Sequence, residues 1–252
     1  MTTEHVPEAS ARGTYAQAVA SLSRAQKSNR GAPAYSRFVN RPLGRRLAAA
    51  AYVAGMRPNQ VTALSALVTF SGIALIAVGT PRPWLGLAVG GLLVLGYGLD
   101  AADGQLARLR GGGSAQGEWL DHVVDCVKNA SIHLAVLVSW YRQDEPSGLL
   151  LVPLAFSLCA STWFFALLLT EKLRPASAGS NKTDPDVERP PLLRSLVVLP
   201  ADYGLLCVVF VLIGWPAVFT PVYVLLAAAN LLLLAAGLRR WFVELTPAKA
   251  LS

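Results

Sequence analysis

Long apolar stretches, separated by short polar connections rich in Gly and Pro, fill most of the chain after residue 57. Six of them approach the length of roughly 20 residues that a membrane-spanning helix needs. Their approximate cores are residues 61–78, 84–107, 118–140, 149–173, 196–215 and 217–238. No alternation of apolar and polar positions with a period of two persists, so strands are not expected. The pattern predicts an all-α integral membrane protein with six transmembrane helices.

A different pattern occupies residues 36–56, just before the first span. Phe38, Leu43 and Leu47 recur there at helical spacing among several arginines, and Pro42 suits the first turn of a helix. This pattern favours a basic amphipathic helix that lies on the cytosolic membrane surface, with a solvated basic linker as the alternative.

The changes in polarity along the chain predict three regions. Residues 1–35 are expected to form a polar cytosolic N-terminal tail, in which a helix from Tyr15 to Gln26 is the main candidate for regular structure. Residues 36–56 form the juxtamembrane helix. Residues 57–245 form a six-helix membrane domain, which holds every candidate site described below.

The composition agrees with this assignment and narrows the partners. Hydrophobic residues make up 54% of the chain and charged residues only 15%, which is too apolar for an ordinary soluble domain. The formal net charge is +7, but the basic residues flank apolar segments. Membrane lipids with anionic headgroups and phosphorylated substrates are therefore expected as partners, and nucleic acid is not. We also expect the chain to form a homodimer.

The distribution of basic residues predicts the orientation of the chain. Most of them precede the first span, follow the second, surround the fourth connection or follow the sixth, whereas the opposite side has only Arg82 and Arg142. Positive residues are enriched on the cytosolic side of membrane proteins. Both termini and the connection after the second span are therefore expected to face the cytosol, in a multi-pass protein of the cell membrane.

Four aspartates interrupt the apolar pattern of the second and third spans. At 100° per residue, Asp100 and Asp103 share one face of the second helix, and Asp121 and Asp125 share one face of the third. The short flexible stretch LRGGGSAQG joins the two helices and makes them antiparallel neighbours. Four carboxylates are therefore expected to converge at the cytosolic ends of these helices. Acidic groups in membrane helices are costly and usually functional.

Four carboxylates cannot lie together without compensation, because their repulsion would force protons onto some of them. Divalent metal is the usual compensation, and ligands that are all oxygen favour Mg²⁺, Mn²⁺ or Ca²⁺. Two such metals can clamp the attacking and leaving oxygens of a phosphoryl displacement. Arg108 lies on the same helical face and can pair with phosphate.

The aspartates belong to a longer motif that resembles the full signature of the CDP-alcohol phosphotransferase, or CDP-alcohol phosphatidyltransferase, family. The six spans and the stretch RPNQVT before the first span are also similar to the family. The fixed positions of the signature, none of which is missing, are Asp100, Asp103, Gly104, Ala107, Arg108, Gly117, Asp121 and Asp125.

The resemblance implies an enzyme of phospholipid biosynthesis. A CDP-linked donor, often CDP-diacylglycerol, would lose CMP while an alcohol attacks its β-phosphorus. Asp100, Asp103 and Asp121 would hold two divalent cations, Mg²⁺ or Mn²⁺. Asp125 would act as the base that takes the hydroxyl proton. It would also contact metal. The residues expected on the nucleotide side are Asp100, Gly104, Ala107, Arg108 and Gly117.

The acceptor is a polar alcohol or alcohol phosphate, and its identity stays open. Lys128, one turn below Asp125, would either bind an acceptor phosphate or neutralise the acids, and His122 is a second acceptor-binding candidate. The segment that contains SRFVNRPLGRRL resembles members that use inositol phosphate, whereas the DH pair at Asp121 resembles choline- and ethanolamine-using members. We favour an acceptor similar to inositol phosphate.

Two other functions fit an intramembrane acid cluster. A transporter would spread polar groups through the midplane of several spans, but the acids here lie at one side of the membrane and no internal repeat is visible. A Mg²⁺-dependent membrane prenyltransferase would normally need two aspartate motifs on separate helix pairs, and the sequence has one.

Overall fold

The computed structural model describes residues 14–24, 34–174 and 199–246, and all regular structure in these ranges is helical. The N-terminal part contains α1 (Tyr15–Arg24), a π-helical segment (Ser36–Asn40) that leads into α2 (Arg41–Val53), and α3 (Pro58–Val78). The central part contains α4 (Pro83–Leu109), α5 (Ala115–Arg142) and α6 (Ser147–Leu173). The C-terminal part contains a 3₁₀ turn (Leu199–Ala201), α7 (Tyr203–Val209), a second 3₁₀ turn (Phe210–Gly214) and α8 (Pro216–Glu244).

Five helices of the described ranges, α3, α4, α5, α6 and α8, are long and apolar enough to cross a membrane. They coincide with five of the six predicted spans, including the third, α5, whose polar face lowers its mean hydropathy below that of the other four. The all-α membrane fold predicted by the sequence is therefore confirmed.

The fifth predicted span, residues 196–215, is shorter than expected. Within its described part, the apolar helix extends only from Tyr203 to Gly214. Its start is set by Asp202, whose side chain accepts a hydrogen bond from the backbone N–H of Gly204 at 3.0 Å and so acts as the N-cap. Pro216 then begins α8 directly after the second 3₁₀ turn. Hydropathy alone does not register a buried capping aspartate as a helix end.

The helix α4 lies at the centre, and two different segments cover its two halves. The segment Tyr203–Gly214 covers the half that begins at Pro83: Val211 packs against Gly86 and Gly90 of α4. The other end of this segment reaches Tyr97, whose ring centroid lies 5.1 Å from that of Tyr203. The segment therefore runs antiparallel to α4.

The helix α2 covers the other half of α4, which carries the aspartates. Leu43 of α2 packs against Gly98. A Cβ added at Gly44 would lie 2.8 Å from the Cβ of Ala101, so only glycine permits this close approach. The Gln105 side chain also donates a hydrogen bond to the carbonyl of Arg41 at 3.3 Å. The predicted juxtamembrane helix thus exists, and it packs directly behind the acidic stretch of α4.

The buried face of α2 is narrower than the predicted apolar face. Its small residues Gly44, Ala48, Ala49 and Ala51 are buried, whereas Phe38 in the preceding π-helical segment is 66% exposed. The helix predicted from Tyr15 to Gln26 is seen as α1, which packs on α2. The rest of the predicted tail, apart from Thr14 and residues 34–35, lies outside the described residues.

Asp202 also connects the beginning of the juxtamembrane segment to α7. Its Oδ2 accepts hydrogen bonds from the backbone N–H groups of Tyr35 at 3.1 Å and Ser36 at 3.4 Å. The same carboxylate therefore caps two helical segments that are far apart in the chain. Burial raises the pKa of the Asp202 carboxyl, and the hydrogen bonds from the backbone oppose this shift.

A cluster of aromatic side chains fills the core between α5, α6 and α8. The Tyr223 ring of α8 is fully buried, and its hydroxyl lies 2.7 Å from Nδ1 of His133 on α5. His133 in turn stacks on Phe156 of α6 with ring centroids 3.8 Å apart. These contacts connect α5, which carries Asp121 and Asp125, to α6 and α8.

Candidate active site

A glycine-rich turn brings the two acidic helices together. Gly111 and Gly112 adopt positive φ angles of 95° and 133°, a conformation that favours glycine. Ser114 then begins α5 by accepting a hydrogen bond from the backbone N–H of Gly117 at 3.1 Å. The prediction that α4 and α5 are antiparallel neighbours is met only in part, because α3 packs along both of them and the two helices have little direct backbone contact. This arrangement leaves space between the acidic faces.

Three of the four predicted aspartates meet at this space. Asp100, Asp121 and Asp125 each offer one carboxylate oxygen, and these oxygens all lie within 4.8 Å of one another. All three side chains are partly buried. Such a set of hard oxygen ligands fits Mg²⁺ or Mn²⁺. The three residues, hereafter the acid cluster, could therefore hold metal.

The fourth aspartate, Asp103, does not belong to this set of three. Its Oδ2 accepts a hydrogen bond of 2.6 Å from the hydroxyl of Thr62, and both side chains are buried. The Thr62 hydroxyl also lies 3.2 Å from the carbonyl of Pro58 at the start of α3. Thr62 is the last residue of the RPNQVT stretch, but sequence reasoning did not assign it a role at the site.

Lys128 lies against the acid cluster. Its Nζ is 3.0 Å from Oδ1 of Asp100 and also contacts Oδ1 of Asp125. The Lys128 side chain is only 5% exposed, and its Nζ lies 5.1 Å from the ring centroid of Tyr203. Two roles were predicted for Lys128, and these contacts fit the one in which it neutralises the negative charge of the acids. Its binding of an acceptor stays a prediction.

His122 lies at the edge of the acid cluster. Its Nε2 is 3.8 Å from Oε1 of Glu118, and its Nδ1 is 4.0 Å from Oδ2 of Asp121. The ring packs edge-on against Phe164 of α6 with centroids 6.2 Å apart. His122 is 37% exposed, so it remains accessible to a ligand.

A cavity of about 740 Å³ opens on one side of the acid cluster, between α3, α4 and the start of α5. We name it the donor cavity, after the donor that the family resemblance predicts beside these residues, and its volume is within the range of typical ligand sites. A Cβ added at Gly104 would meet only the Arg108 side chain, at 3.6 Å, so this face of α4 is open. The signature residues that line the cavity are Asp103, Gly104, Ala107, Arg108, Gly117 and Asp121. Asp100, the other residue predicted on the nucleotide side, is in the acid cluster.

A smaller cavity of about 160 Å³ lies between α5, α6, α7 and α8. It is called the inner cavity here. Its walls combine the aromatic residues Phe156, Trp163 and Phe164 with the polar residues Asn129 and Asp202. Tyr203 also lines it, and the same tyrosine ring faces Lys128. The acid cluster thus borders the larger cavity at Asp121, and Lys128 contacts Tyr203 in the wall of the smaller one.

Fold and site together define a class of protein: a multi-pass membrane enzyme that holds carboxylates and an arginine beside a cavity for a charged ligand. Comparison with known families agrees. The family model described as CDP-alcohol phosphatidyltransferase matches residues 56–241, and the chain belongs to this family. It is a phosphotransferase of phospholipid biosynthesis that uses a CDP-alcohol donor. The family is dependent on divalent cations.

Solved structures share the fold. The crystal structure of Mycobacterium tuberculosis phosphatidylinositol phosphate synthase in complex with manganese and citrate is 22% identical and has a TM-score of 0.50, and the match covers 81% of this chain and 89% of that chain. The structure of the same synthase with CDP-DAG bound is also 22% identical, with a TM-score of 0.48 and coverage of 81% and 94%. No match was found among curated proteins. Membership of the family favours the transferase over the transporter and the prenyltransferase considered from the sequence.

Proposed function

We propose that the enzyme transfers the phosphatidyl group of CDP-diacylglycerol to a polar alcohol or alcohol phosphate and releases CMP. The observation that carries this proposal is that the acid cluster borders the donor cavity at Asp121 and is connected through Lys128 to Tyr203 in the wall of the inner cavity. A two-substrate transfer needs such a site, because donor and acceptor must reach the same reacting atoms from different sides. The family description supports phosphatidyl transfer as the reaction.

The donor cavity is proposed to hold the CDP part of the donor. Arg108, which lines this cavity, is proposed to pair with a phosphate group, since a guanidinium group can donate two parallel hydrogen bonds to two phosphate oxygens. Gly104 and Ala107 leave the surface of α4 open to a nucleotide. At Gly117 a Cβ would lie 3.0 Å from Oδ1 of Asn59, so glycine keeps the start of α5 close to α3. Asp100 is proposed to contribute from the acid cluster.

The four aspartates Asp100, Asp103, Asp121 and Asp125 are proposed to hold two divalent cations, Mg²⁺ or Mn²⁺. When bound, the cations would neutralise the negative charges of the carboxylates and of the diphosphate. Three of these carboxylates already converge. The fourth, Asp103, is oriented by Thr62 and lines the donor cavity.

Asp125 is proposed as the general base. The acceptor hydroxyl oxygen forms a bond to the β-phosphorus, the bond from that phosphorus to the CMP oxygen breaks, and the hydroxyl proton goes to the Asp125 carboxylate. Asp125 lies one helical turn from Asp121, on the side of Lys128 and the inner cavity. An acceptor in the inner cavity would therefore approach the acidic face of α5 from beyond Asp125, whereas Asp121 lines the donor cavity.

The acceptor is proposed to enter beside the inner cavity, with His122 and Lys128 as its binding residues. His122 contacts Phe164, which lines that cavity, and Lys128 contacts Tyr203, which does so as well. The resemblance of the segment before α3 to inositol-phosphate-using members favours an acceptor of that kind. The phosphate of such an acceptor would need positively charged side chains as hydrogen-bond donors, and Lys128 is one.

The proposed location is the cell membrane, with both termini and the active site facing the cytosol. The domain limits at residues 36 and 57 are part of the same proposal: a tail, a juxtamembrane helix and a catalytic membrane domain. The excess of basic residues on the side of the aspartates supports this orientation.

The direct test is release of CMP by the purified full-length protein in lipid nanodiscs. CDP-diacylglycerol and a soluble CDP-alcohol are each supplied with Mg²⁺ or Mn²⁺ and with a panel of acceptors: glycerol phosphate, serine, inositol and inositol phosphate. We expect release only with CDP-diacylglycerol, divalent metal and one acceptor, and none in excess EDTA. Asp121→Asn is the matched inactive control. Release from the soluble CDP-alcohol alone would contradict the proposed donor, and full activity in EDTA would contradict the metal site.

A further inference from the structure

A single buried ammonium group joins three helices at the acid cluster. Lys128 of α5 contacts Asp100 of α4 and Asp125 of its own helix, and its Nζ lies over the Tyr203 ring of α7. An ammonium group that is withdrawn from water loses favourable hydration, and burial is stable only when nearby charges offset that loss. Two carboxylates and an aromatic face provide that compensation here. The pairing is therefore a built feature of the interior.

The partners of Lys128 are the residues that could hold metal. Asp100 and Asp125 are two of the three members of the acid cluster, and in each of them it is Oδ1 that faces the ammonium group. A cation that lies about 3 Å from a ligand oxygen repels any second cation that approaches the same oxygen, most strongly where water is excluded. Lysine and divalent metal therefore draw on the same negative charge.

We propose that Lys128 is a resident counter-cation of the acid cluster: it holds Asp100 and Asp125 together in the metal-free enzyme, and divalent metal binds in competition with it. The inference rests on the proposed metal site. It makes Lys128 a positioning residue, which acts through the two aspartates. Metal binding would release the ammonium group next to Tyr203, at the wall of the inner cavity, where the acceptor is proposed to enter.

A residue that merely organises the ligands would give the opposite result. If Lys128 preassembled the acid cluster for metal, its removal would weaken metal binding. If it competes with metal, its removal leaves the carboxylates mutually repelled in the metal-free state, and that repulsion is relieved by metal. The sign of the change in metal affinity therefore separates the two roles, without reference to turnover.

The experiment compares Lys128→Met with the wild-type protein, both full-length and in nanodiscs. Methionine is unbranched like lysine and only one atom shorter, and it removes the charge. Lys172→Met is the matched control, since Lys172 lies exposed at the end of α6. Mn²⁺ binding is measured from the electron paramagnetic resonance signal of the free ion, and melting temperatures are recorded in EDTA and in saturating Mn²⁺.

We expect Lys128→Met to bind Mn²⁺ at least about tenfold more tightly than wild type. In EDTA its melting temperature should fall by about 5 °C or more, because a buried pair has lost one partner, and saturating Mn²⁺ should restore it. Adding Asp100→Asn to Lys128→Met should recover part of the loss in EDTA, as expected for two groups that interact directly. Lys172→Met should match wild type in both measurements.

Unchanged or weaker Mn²⁺ binding by Lys128→Met, while wild type binds Mn²⁺ normally, would overturn the counter-cation role and leave the metal site intact. Absence of Mn²⁺ binding in wild type, in Lys128→Met and in the control would instead overturn the metal site, and the competition with it. If Lys128→Met fails to fold in EDTA, folding on addition of Mn²⁺ would support the proposal, and failure to fold in the double variant as well would contradict it.

Discussion

Asp125 and Asp103 are the same residue type in different surroundings, and this difference predicts different losses on substitution. Asp125 belongs to the acid cluster on the side of the inner cavity, whereas Asp103 faces the donor cavity. Asp125→Asn keeps the shape of the side chain and removes its ability to take a proton, so turnover should fall by about 10²–10⁴. The affinity of the Asp125→Asn variant for the donor should fall less than its turnover, because the other three aspartates are still present. Asp103→Asn should instead weaken donor and metal binding together.

The comparison needs both turnover and CMP affinity in the two variants at saturating metal and acceptor. If Asp125→Asn retains near-normal turnover, Asp125 is not the base. His122, which lies 4.0 Å from Asp121, is then the next residue to replace.

Thr62 offers a second test at the scale of one residue, with an internal control on the same helix. Thr62 and Thr69 are both buried in α3. The Thr62 hydroxyl donates to Asp103, whereas the Thr69 hydroxyl has no hydrogen-bond partner among the residues that the structure describes. Thr62→Val should lower stability by about 1.5–3 kcal/mol, because a hydrogen bond to a charged group is lost. Thr69→Val should be neutral or stabilising.

Melting temperatures in one detergent measure this difference. Thr62→Val should melt at least about 3 °C lower than wild type and should show a higher KM for the donor, since the Asp103 carboxylate is no longer oriented. Equal melting temperatures for the two valine variants would show that the bond to Asp103 is unimportant.

The packing of α2 on α4 can be tested by substituting alanine for a glycine at their contact and for a glycine away from it. At Gly44 an added Cβ would lie 2.8 Å from Ala101 and 2.9 Å from Nε2 of Gln105, whereas at Gly91 no atom lies within 4 Å. Alanine improves helix propensity by about 1 kcal/mol at either site. Gly91→Ala should therefore be neutral or stabilising. Gly44→Ala should destabilise by about 1–3 kcal/mol, because the helices must move apart.

Limited proteolysis and thermal melting check this prediction. Gly44→Ala should expose α1 and α2 to protease faster than Gly91→Ala does, and it should lower turnover because α2 supports the acidic stretch of α4. Wild-type behaviour of Gly44→Ala in both assays would mean that the contact between α2 and α4 is loose.

The sequence predicts elements well where one physical property decides them. Hydropathy identifies the five long helices, and the run Gly111 to Gly113 predicts the turn that joins α4 and α5. It overestimates the length of the fifth span, because the helix end depends on a buried cap at Asp202. Four acids at helical spacing predict a convergent site, yet the bond from Thr62 to Asp103 and the contact of Lys128 with Tyr203 join distant parts of the chain. Such contacts follow from the packing and not from local pattern.

For the whole molecule, the testable quantity is its orientation in the membrane. Cysteines are placed singly at Ser180 and Glu145 in a variant without Cys126, Cys159 and Cys207. A membrane-impermeant reagent added outside intact cells should label position 145 and leave position 180 unlabelled until the cells are opened, because basic residues surround the latter. Labelling of position 180 alone would invert the topology and place the acid cluster on the side away from cytosolic CDP donors.

The Asp202 carboxylate caps the helical stretch at Tyr35 and Ser36, and this contact can form only late in synthesis on the ribosome. The bonded residues are separated by 167 and 166 positions. A ribosome that adds about 5–20 residues per second needs roughly 10–30 s to cover that distance. During this interval the first N–H groups of the juxtamembrane stretch lack their native acceptor. Capping of the juxtamembrane stretch is thus a late event of synthesis, and a nascent chain that stops before Asp202 lacks this cap.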